Sequence, residues 1–550
     1  MAAHIETGTM AHPSHYCSKQ LNHLGLVAGI CDELGIVELI NKLIPQDTEK
    51  RIVSAEQAVK AMILNGLGFA NQALYLSELF FRDKPLGRLL GEGIEAKYLN
   101  DDMLGRTLDA IYEYGPSELY WLIALSVVRQ LGLLCRFGHL DSSSFHVDGQ
   151  YNSGASPEEG VIHITQGYSR DHRPDLNQVV LQLLVEHQAG IPLQMQALSG
   201  NSSDKESFRE KVTAHIEQMR GSLGIEYLIA DSALYSAENL KALSTIKWIT
   251  RVPETLGLAH DVIEVLAPVL MRDTSQTAHR SFETEYEGLR QRWVVIFSPD
   301  AYQRARKTGD QQFLKQSSAE CKDFDQLRKQ AFACEADARQ ALAYFTKKLK
   351  VSAVHDAEIK AIPRFKGRGR PAEGRKPDGF DYHIEGAMAS NVQEHLRRLQ
   401  RKSCFILASN ELDSALLSDK ELIAAYKDQQ KVERGFRFLK DPLFMASTLF
   451  LKSPKRIMAL MMVMTLSLLV YAALEHRIRE TLKTHNESFP NQKGQWVANP
   501  TARWVFQFFA GIHLLVINHS LELVLNMNLH QTTLLKLLGV HYEKIYAGNG

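Results

Sequence analysis

The order of strand-like and helix-like segments between residues 138 and 254 constrains the fold of this chain most strongly. An alternating, strand-like pattern occupies GHLDSSSFHVDG, and two further strands joined by a turn at HQAG occupy NQVVLQLLVEHQAGIPLQMQALSG. A polar-faced helix follows, then a short apolar strand in EYLIADS, a short helix that begins at Ser236, and a strand in IKWITRVP. We therefore expect an α/β domain built on a mixed sheet, in which the fourth strand runs beside the first.

The chain is long enough for several domains, since 550 residues correspond to three or four units of about 150 residues. Ser54 and Gln57 form a capping-box pattern before an apolar run, which indicates a helix start in the N-terminal region. We predict a helical N-terminal domain (1–135), the first part of the sheet domain (136–254), a mixed β/α insertion domain (255–402), the last part of the sheet domain (403–480) and a helical C-terminal region (481–550).

The predicted insertion domain combines strands, one long helix and a basic loop. The segments RQRWVVIFS, DYHIEGAMAS and SCFILASN have the residue patterns of β-strands. Residues 323–350 have a pattern typical of a single helix. The loop 364–376 is rich in glycine, proline and cations and contains KGRGRP. This core resembles an AT-hook, in which Arg368 and Arg370 would enter a narrow minor groove. A solvated basic loop is the alternative interpretation.

Charge and cysteine usage narrow the class of protein. The formal net charge is zero, which argues against a general nucleic-acid coat but not against an enzyme with a local basic surface. None of the six cysteines forms a CxxC pair, so a structural zinc site is not expected. The pattern is typical of reduced thiols in a cytosolic protein, and no secretion signal is recognisable at the N-terminus.

Residues 457–474 form an uncharged apolar run that is just long enough to cross a membrane. Cations flank both ends of the run, so there is little charge asymmetry across it. We favour a buried core helix over a membrane helix. Trp248 and Trp293, on strand-like segments, are expected in the core rather than stacked on an extruded base.

Two aspartates occupy positions where neighbouring strands would bring them together. Asp141 lies on the first predicted strand, and Asp231 ends the fourth. Asp148 competes with Asp141 for this role, but it would point to the opposite face of a continuous strand and precedes a glycine. Carboxylates from separate elements suit a pair of Mg²⁺ ions in phosphoryl transfer. Aspartates at strand ends more commonly form turns, so Asp141 and Asp231 alone are weak evidence for a metal site.

A polar stripe on a predicted helix supplies a third carboxylate. In AAYKDQQKVERGFRFLKDP, helical spacing places five polar residues on one narrow face. A neighbouring apolar face (Ala425, Val432, Phe436, Leu439) would dock on the sheet. A glutamate among cations is more often part of a solvated, salt-bridged face. The stripe consists of Tyr426, Gln429, Glu433, Arg437 and Lys440.

The spacing Tyr426, Gln429, Glu433, Lys440 resembles the Tyr–Arg–Glu–Lys signature of insertion-sequence DDE transposases. HLDSSSFHVDG and YLIADSALYS resemble the regions of that family's two aspartates, and the similarity extends over nearly the whole chain. It implies a ribonuclease-H-like core, two Mg²⁺ or Mn²⁺ ions held by Asp141, Asp231 and Glu433, and cut-and-paste chemistry on inverted-repeat ends, with second-strand cleavage through a hairpin.

The resemblance also implies roles for other parts of the chain. Tyr426 and Lys440 would contact phosphates near the cleavage site, and Arg437 on the same stripe would compensate for an uncharged residue at position 429. Recognition of DNA ends is one interpretation of the helical N-terminal domain, which has no clear recognition helix. This sequence departs from the family by placing Gln429 at the arginine position, which removes a charge and a bidentate fork. The expected partners are DNA and further copies of the chain in a synaptic complex, in a bacterial cytoplasm. An endonuclease without strand transfer and an inactive DNA-binding relic remain alternatives.

Overall fold

The computed structural model describes residues 15–45, 52–69, 74–147, 149, 151, 158–169, 173–202, 221–366, 374–441, 444 and 451–549. The chain divides into two compact units. Unit 1 comprises residues 1–250 and 420–550, and unit 2 comprises residues 251–419. The structure is a mixed α/β fold with many helices, as the sequence predicts. The roles given to the five predicted segments stay predictions.

Unit 1 begins with a strand and a helical layer. The capping box is confirmed, since Ser54 Oγ accepts from Gln57 N at 3.2 Å and Gln57 Oε1 accepts from Ser54 N at 3.0 Å. The elements are β1 (Tyr16–Gln20), α1 (Leu24–Glu33), α2 (Ile36–Leu43), α3 (Ala55–Leu67), α4 (Ser77–Phe81), α5 (Leu86–Leu89), α6 (Asp101–Tyr114) and α7 (Pro116–Leu131).

The sheet of unit 1 follows the predicted order. Its strands lie in the order β4-β3-β2-β5-β6; β2 is antiparallel to β3 and parallel to β5, and β5 is parallel to β6. The fourth strand of the predicted series therefore lies beside the first, as expected. The polar helix predicted before it falls mostly on residues 203–220, outside the described residues. The elements are β2 (Phe137–His146), β3 (Gln178–Glu186), β4 (Pro192–Leu198), β5 (Tyr227–Ala230), α8 (Ala237–Ala242) and β6 (Lys247–Arg251).

Unit 2 contains three antiparallel strands in the order β11-β8-β7 and a separate hairpin of β9 and β10. The single helix predicted over 323–350 is wrong, because the chain leaves the helix at Gln330 and re-enters it after Cys334, whose Sγ accepts from Asp337 N. The elements are α9 (Gly257–Leu270), β7 (Ala278–Tyr286), β8 (Leu289–Phe297), α10 (Pro299–Lys329), α11 (Glu335–Lys348), β9 (Ser352–Arg364), β10 (Gly379–Ser390), α12 (Val392–Ser403) and β11 (Cys404–Ser409).

The chain returns to unit 1 through α13 (Asp419–Lys427), α14 (Gln430–Leu439) and the long helix α15 (Pro454–Thr484). Among the described residues, α15 is the one helix long and apolar enough to cross a membrane, and 89% of its most apolar window is buried inside the protein. It packs against α1, α3, α6, α7 and β4. The apolar run is thus the core helix of unit 1, as favoured from the sequence.

The C-terminal region is mixed rather than helical. β14 pairs with both β1 and β15, so this region completes a sheet with the start of the described chain. Tyr542 Oη also donates to Glu33 on α1 at 2.6 Å. Strands of two to five residues were too short to show a period in the sequence. The elements are β12 (Phe489–Pro490), β13 (Trp496–Val497), α16 (Ala502–Phe508), β14 (His513–Ile517), β15 (Leu521–Leu525), α17 (Leu529–Leu538) and α18 (Val540–Tyr546).

Candidate active site

Asp141 lies in the middle of β2, half-buried among buried neighbours. Its Oδ1 accepts a hydrogen bond from Ser142 N at 2.8 Å. On the antiparallel side it is opposite Leu183 of β3. The alternative candidate, Asp148, lies outside the described residues.

Asp231 is exposed and directly follows β5, where it caps a short 3₁₀ turn by accepting from Ala233 N at 2.9 Å. Its carbonyl accepts from Thr250 Oγ1 on the next strand at 2.7 Å. Leu140 of β2 is the register partner of Ala230, the last residue of β5, so Asp141 and Asp231 each directly follow a residue of the last pair of these parallel strands. Adjacent strands lie about 5 Å apart, and residues at the same level of a parallel pair point to the same face.

The predicted helix that carries the polar stripe is interrupted. α13 ends at Lys427 and α14 begins at Gln430. Between them Gln429 N donates to Tyr426 O at 3.1 Å and Lys431 N donates to Asp428 O at 2.8 Å, which are the tight bonds of a 3₁₀ turn. Tyr426 therefore belongs to a different helix from Glu433, and the single continuous stripe predicted from the sequence is wrong.

The apolar face of this segment is confirmed. Val432, Phe436 and Leu439 are buried on α14, Ala425 is buried on α13, and α14 packs against β2 and β3. Spacing of three and four residues keeps these α14 side chains on one side of the helix, so docking on the sheet leaves the other side exposed to solvent.

The polar residues of α14 and of the two positions that flank it, Gln429 and Lys440, differ in their exposure. Glu433 and Arg437 are exposed, and Lys440 Nζ lies 5.5 Å from the centre of the Phe145 ring on β2. Gln429 is only 8% exposed. Its Nε2 donates to Leu140 O at 3.3 Å, and its Oε1 lies 3.0 Å from His139 Nδ1.

These contacts fix the level of Glu433 along β2. Gln429 touches His139, and Lys440 lies over Phe145, so α14 runs in the same direction as β2. Glu433 follows Gln429 by about 6 Å along the helix. Asp141 follows His139 by about 7 Å along the strand and lies on the same face. Glu433 and Asp141 therefore lie at about the same height along the common direction of α14 and β2.

The three carboxylates do not form a finished metal centre in the described part of the chain. No group of three or more histidine, cysteine, aspartate or glutamate side chains there converges closely enough to hold a metal ion. Asp141 and Asp231 each direct one oxygen to a nearby backbone amide. The donor set is nevertheless of the right kind, because Mg²⁺ and Mn²⁺ prefer carboxylate oxygens. Metal binding by Asp141, Asp231 and Glu433 stays a prediction.

His139 is a residue of this face that the sequence analysis missed. It is fully buried, and burial lowers its pKa from 6.5 to about 4, against the opposing effect of its hydrogen bond with Gln429. Leu140 O can only accept, so Gln429 must turn Nε2 towards it and Oε1 towards His139. The neutral imidazole therefore carries its proton on Nδ1. The signal in the sequence was its position two residues before Asp141, which puts both on one face of the strand.

The remaining predicted contacts lie elsewhere or outside the described residues. Arg368 and Arg370 lie outside the described residues, as do most other residues of the KGRGRP segment. Arg364, next to the loop, is paired with Asp381 at 3.3 Å. Trp248 and Trp293 are 1% and 0% exposed, so both are core residues, as favoured.

Comparisons with known proteins assign the chain to a family. Residues 136–470, more than half of the chain, match the family described as "Transposase DDE domain", and residues 16–125 match a domain of unknown function, DUF4277. No curated protein matches the chain. The chain resembles the cryo-EM structure of a piggyBac transposase synaptic complex with hairpin DNA at 8% identity, with 90% of this chain and 83% of that chain covered. The TM-score of 0.36 is too low to support an argument. On the family match, this chain is a DNA transposase and belongs to the transposase DDE domain family.

Proposed function

We propose that this transposase is of the insertion-sequence type, and that it cleaves DNA at the inverted-repeat ends of its element and joins those ends to target DNA. The observation that carries the proposal is the register of β2 and β5, in which Leu140 pairs with Ala230 one residue before each aspartate, and the packing of α14, the helix of Glu433, on β2 supports it. All three residues lie within the family match, and the strand order supports a ribonuclease-H-like core.

Asp141, Asp231 and Glu433 are the residues that would hold two Mg²⁺ or Mn²⁺ ions. Bound there, the ions would activate an attacking water or 3′ hydroxyl and stabilise the leaving oxygen. The part of the chain is to present the three carboxylates on one face and to hold the DNA backbone against them. Asp141 is already half-buried on a rigid central strand, which suits a fixed ligand.

The DNA backbone would lie along the exposed side of α14. Arg437 is exposed beside Glu433, and Lys440 extends towards β2 at the end of the helix. Arg434, also exposed, adds a cation that the sequence analysis did not single out. Tyr426 on α13 and the loop cations Arg368 and Arg370 are proposed as further phosphate or groove contacts. A homodimer or larger assembly would hold two element ends together, in a bacterial cytoplasm.

The test is the Glu433→Gln variant, which removes a ligand charge with little change of shape. We expect the variant to bind DNA from the ends of the element with the affinity of the wild type, but to produce no cleavage in Mg²⁺. Labelled end duplexes and a target plasmid would report cleavage and joining separately. The matched control is Glu113→Gln, at an exposed glutamate of α6, which should cleave normally.

Each outcome separates the candidate functions. Joined products from the wild type support a transposase with strand transfer, whereas cleavage without joining indicates a plain endonuclease. Binding without cleavage by the wild type indicates an inactive relic. Normal cleavage by the Glu433→Gln variant would remove Glu433 from the proposed site.

A further inference from the structure

The residue at the family's arginine position is not available to DNA in this structure. Gln429 is 8% exposed, whereas Glu433 and Arg437, further along the same helix, are exposed. Both ends of its amide are used within the protein: Nε2 donates to Leu140 O, and Oε1 accepts from His139 Nδ1. The second N–H of Nε2 belongs to a side chain that is 8% exposed, so little of it is open to a phosphate.

We propose that Gln429 is a positioning residue that, together with His139, clamps the start of α14 onto β2 and so sets the level of Glu433 beside Asp141. The inference rests on the proposed function of these carboxylates and deepens it. Gln429 and His139 are 290 positions apart in the chain, so the clamp joins the two separate parts of the sequence that form unit 1.

The interruption before α14 gives such a clamp a role beside the apolar docking of α14 on the sheet. A continuous helix would inherit its direction from α13, but the tight turn at Asp428 and Gln429 breaks that continuity. The orientation of α14 must therefore be set by its own contacts. The Gln429 amide fixes its first turn, Lys440 over Phe145 marks its end, and Glu433 lies between the two.

Arginine would not fit this environment. A guanidinium only donates hydrogen bonds, so it could satisfy Leu140 O, but it could bond His139 only if the imidazole moved its proton from Nδ1 to Nε2. It would also bring a charge into a site where Gln429 is 8% exposed and His139 is fully buried. Glutamine, whose amide carries both donors and an acceptor, matches both partners without a charge. The departure from the family signature and the buried His139 thus explain each other.

The test compares Gln429→Arg and Gln429→Ala with the wild type. The matched control is Gln430→Ala, which removes the exposed glutamine one position further on. We expect both Gln429 variants to cleave about tenfold to a hundredfold more slowly and to need more Mg²⁺ for half-maximal rate, as when the support of a metal ligand is lost. The dissociation constant for end DNA should stay within about twofold, because no DNA contact is removed.

Hydrogen exchange gives a readout that does not depend on catalysis. Peptides covering α14 (Gln430–Leu439) should exchange faster in the Gln429→Ala variant and at the wild-type rate in the Gln430→Ala variant. A second pair tests the partner: His139→Asn keeps an N–H near the position of Nδ1 and should retain cleavage within about threefold, whereas His139→Leu should lose it. This pair carries the test if the Gln429 variants fail to fold.

A phosphate-contacting Gln429 gives the opposite results. The Gln429→Arg variant would then bind DNA more tightly, with a salt dependence steeper by about 0.9 per added phosphate contact, and would cleave at least as well as the wild type. That result, or wild-type cleavage by the His139→Leu variant, would overturn the clamp. If the wild type itself does not cleave, the proposed function fails, and exchange at α14 still decides whether Gln429 holds the helix.

Discussion

The buried imidazole of His139 predicts a specific acid sensitivity of unit 1. Its pKa is about 4 in the folded protein, against 6.5 for an ordinary histidine. Because the folded-state value is lower, the unfolded chain takes up the proton first as the pH falls. The stabilising effect of the neutral imidazole is complete above about pH 6.5 and is lost progressively towards pH 4. Between pH 7 and pH 5 this one group lowers the free energy of unfolding by about 2 kcal/mol.

The assay is equilibrium unfolding by urea of the wild type and the His139→Asn variant at pH 7 and at pH 5. Other titrating groups are common to both proteins, so the difference between their two pH dependences isolates His139. The wild type should lose about 2 kcal/mol more than the variant on acidification. A control variant, His519→Asn, removes an exposed imidazole and reports the effect of deleting a surface histidine. Equal losses in the wild type and the His139→Asn variant would refute the argument.

Two further predictions concern elements that support the site. Ser54→Ala removes the capping box of α3 and should lower the free energy of unfolding by about 1 kcal/mol, measured by urea titration; no change would mean that another group caps the helix. Leu466→Ala, at a fully buried position of α15, should cost about 2–5 kcal/mol in the same titration, whereas a cost near zero would contradict the placement of this helix in the core.

The parts of the fold that local patterns encode were predictable. An alternating apolar and polar pattern marked β2, the turn at HQAG marked β3 and β4 on either side of it, and a short apolar run that ends at Asp231 marked β5. The order of these elements matches a ribonuclease-H-like sheet, and that topology predicted β5 beside β2, as the structure has it. The apolar spacing of Val432, Phe436 and Leu439 likewise indicated which side of α14 docks.

The features that were missed depend on contacts far apart in the chain. The apolar period runs through the turn at Asp428 and Gln429 without a change, so no local signal marks the interruption. The buried state of Gln429 depends on His139 in β2, and a single sequence does not show that pairing. β14 is similarly invisible without its partner β1 at the other end of the described chain.

The division of unit 1 into two chain segments has a consequence for biosynthesis. A ribosome that has completed residue 250 has made β2 and β5, but the next residues belong to unit 2, and α14 and α15 are still to come. Until α15 is made, α3, α6 and α7 lack one of the helices against which they pack. A nascent or prematurely terminated chain would therefore carry both aspartates yet lack Glu433 and the helix that fills the core. The proposed site would be complete only after Glu433 and α15 have been made.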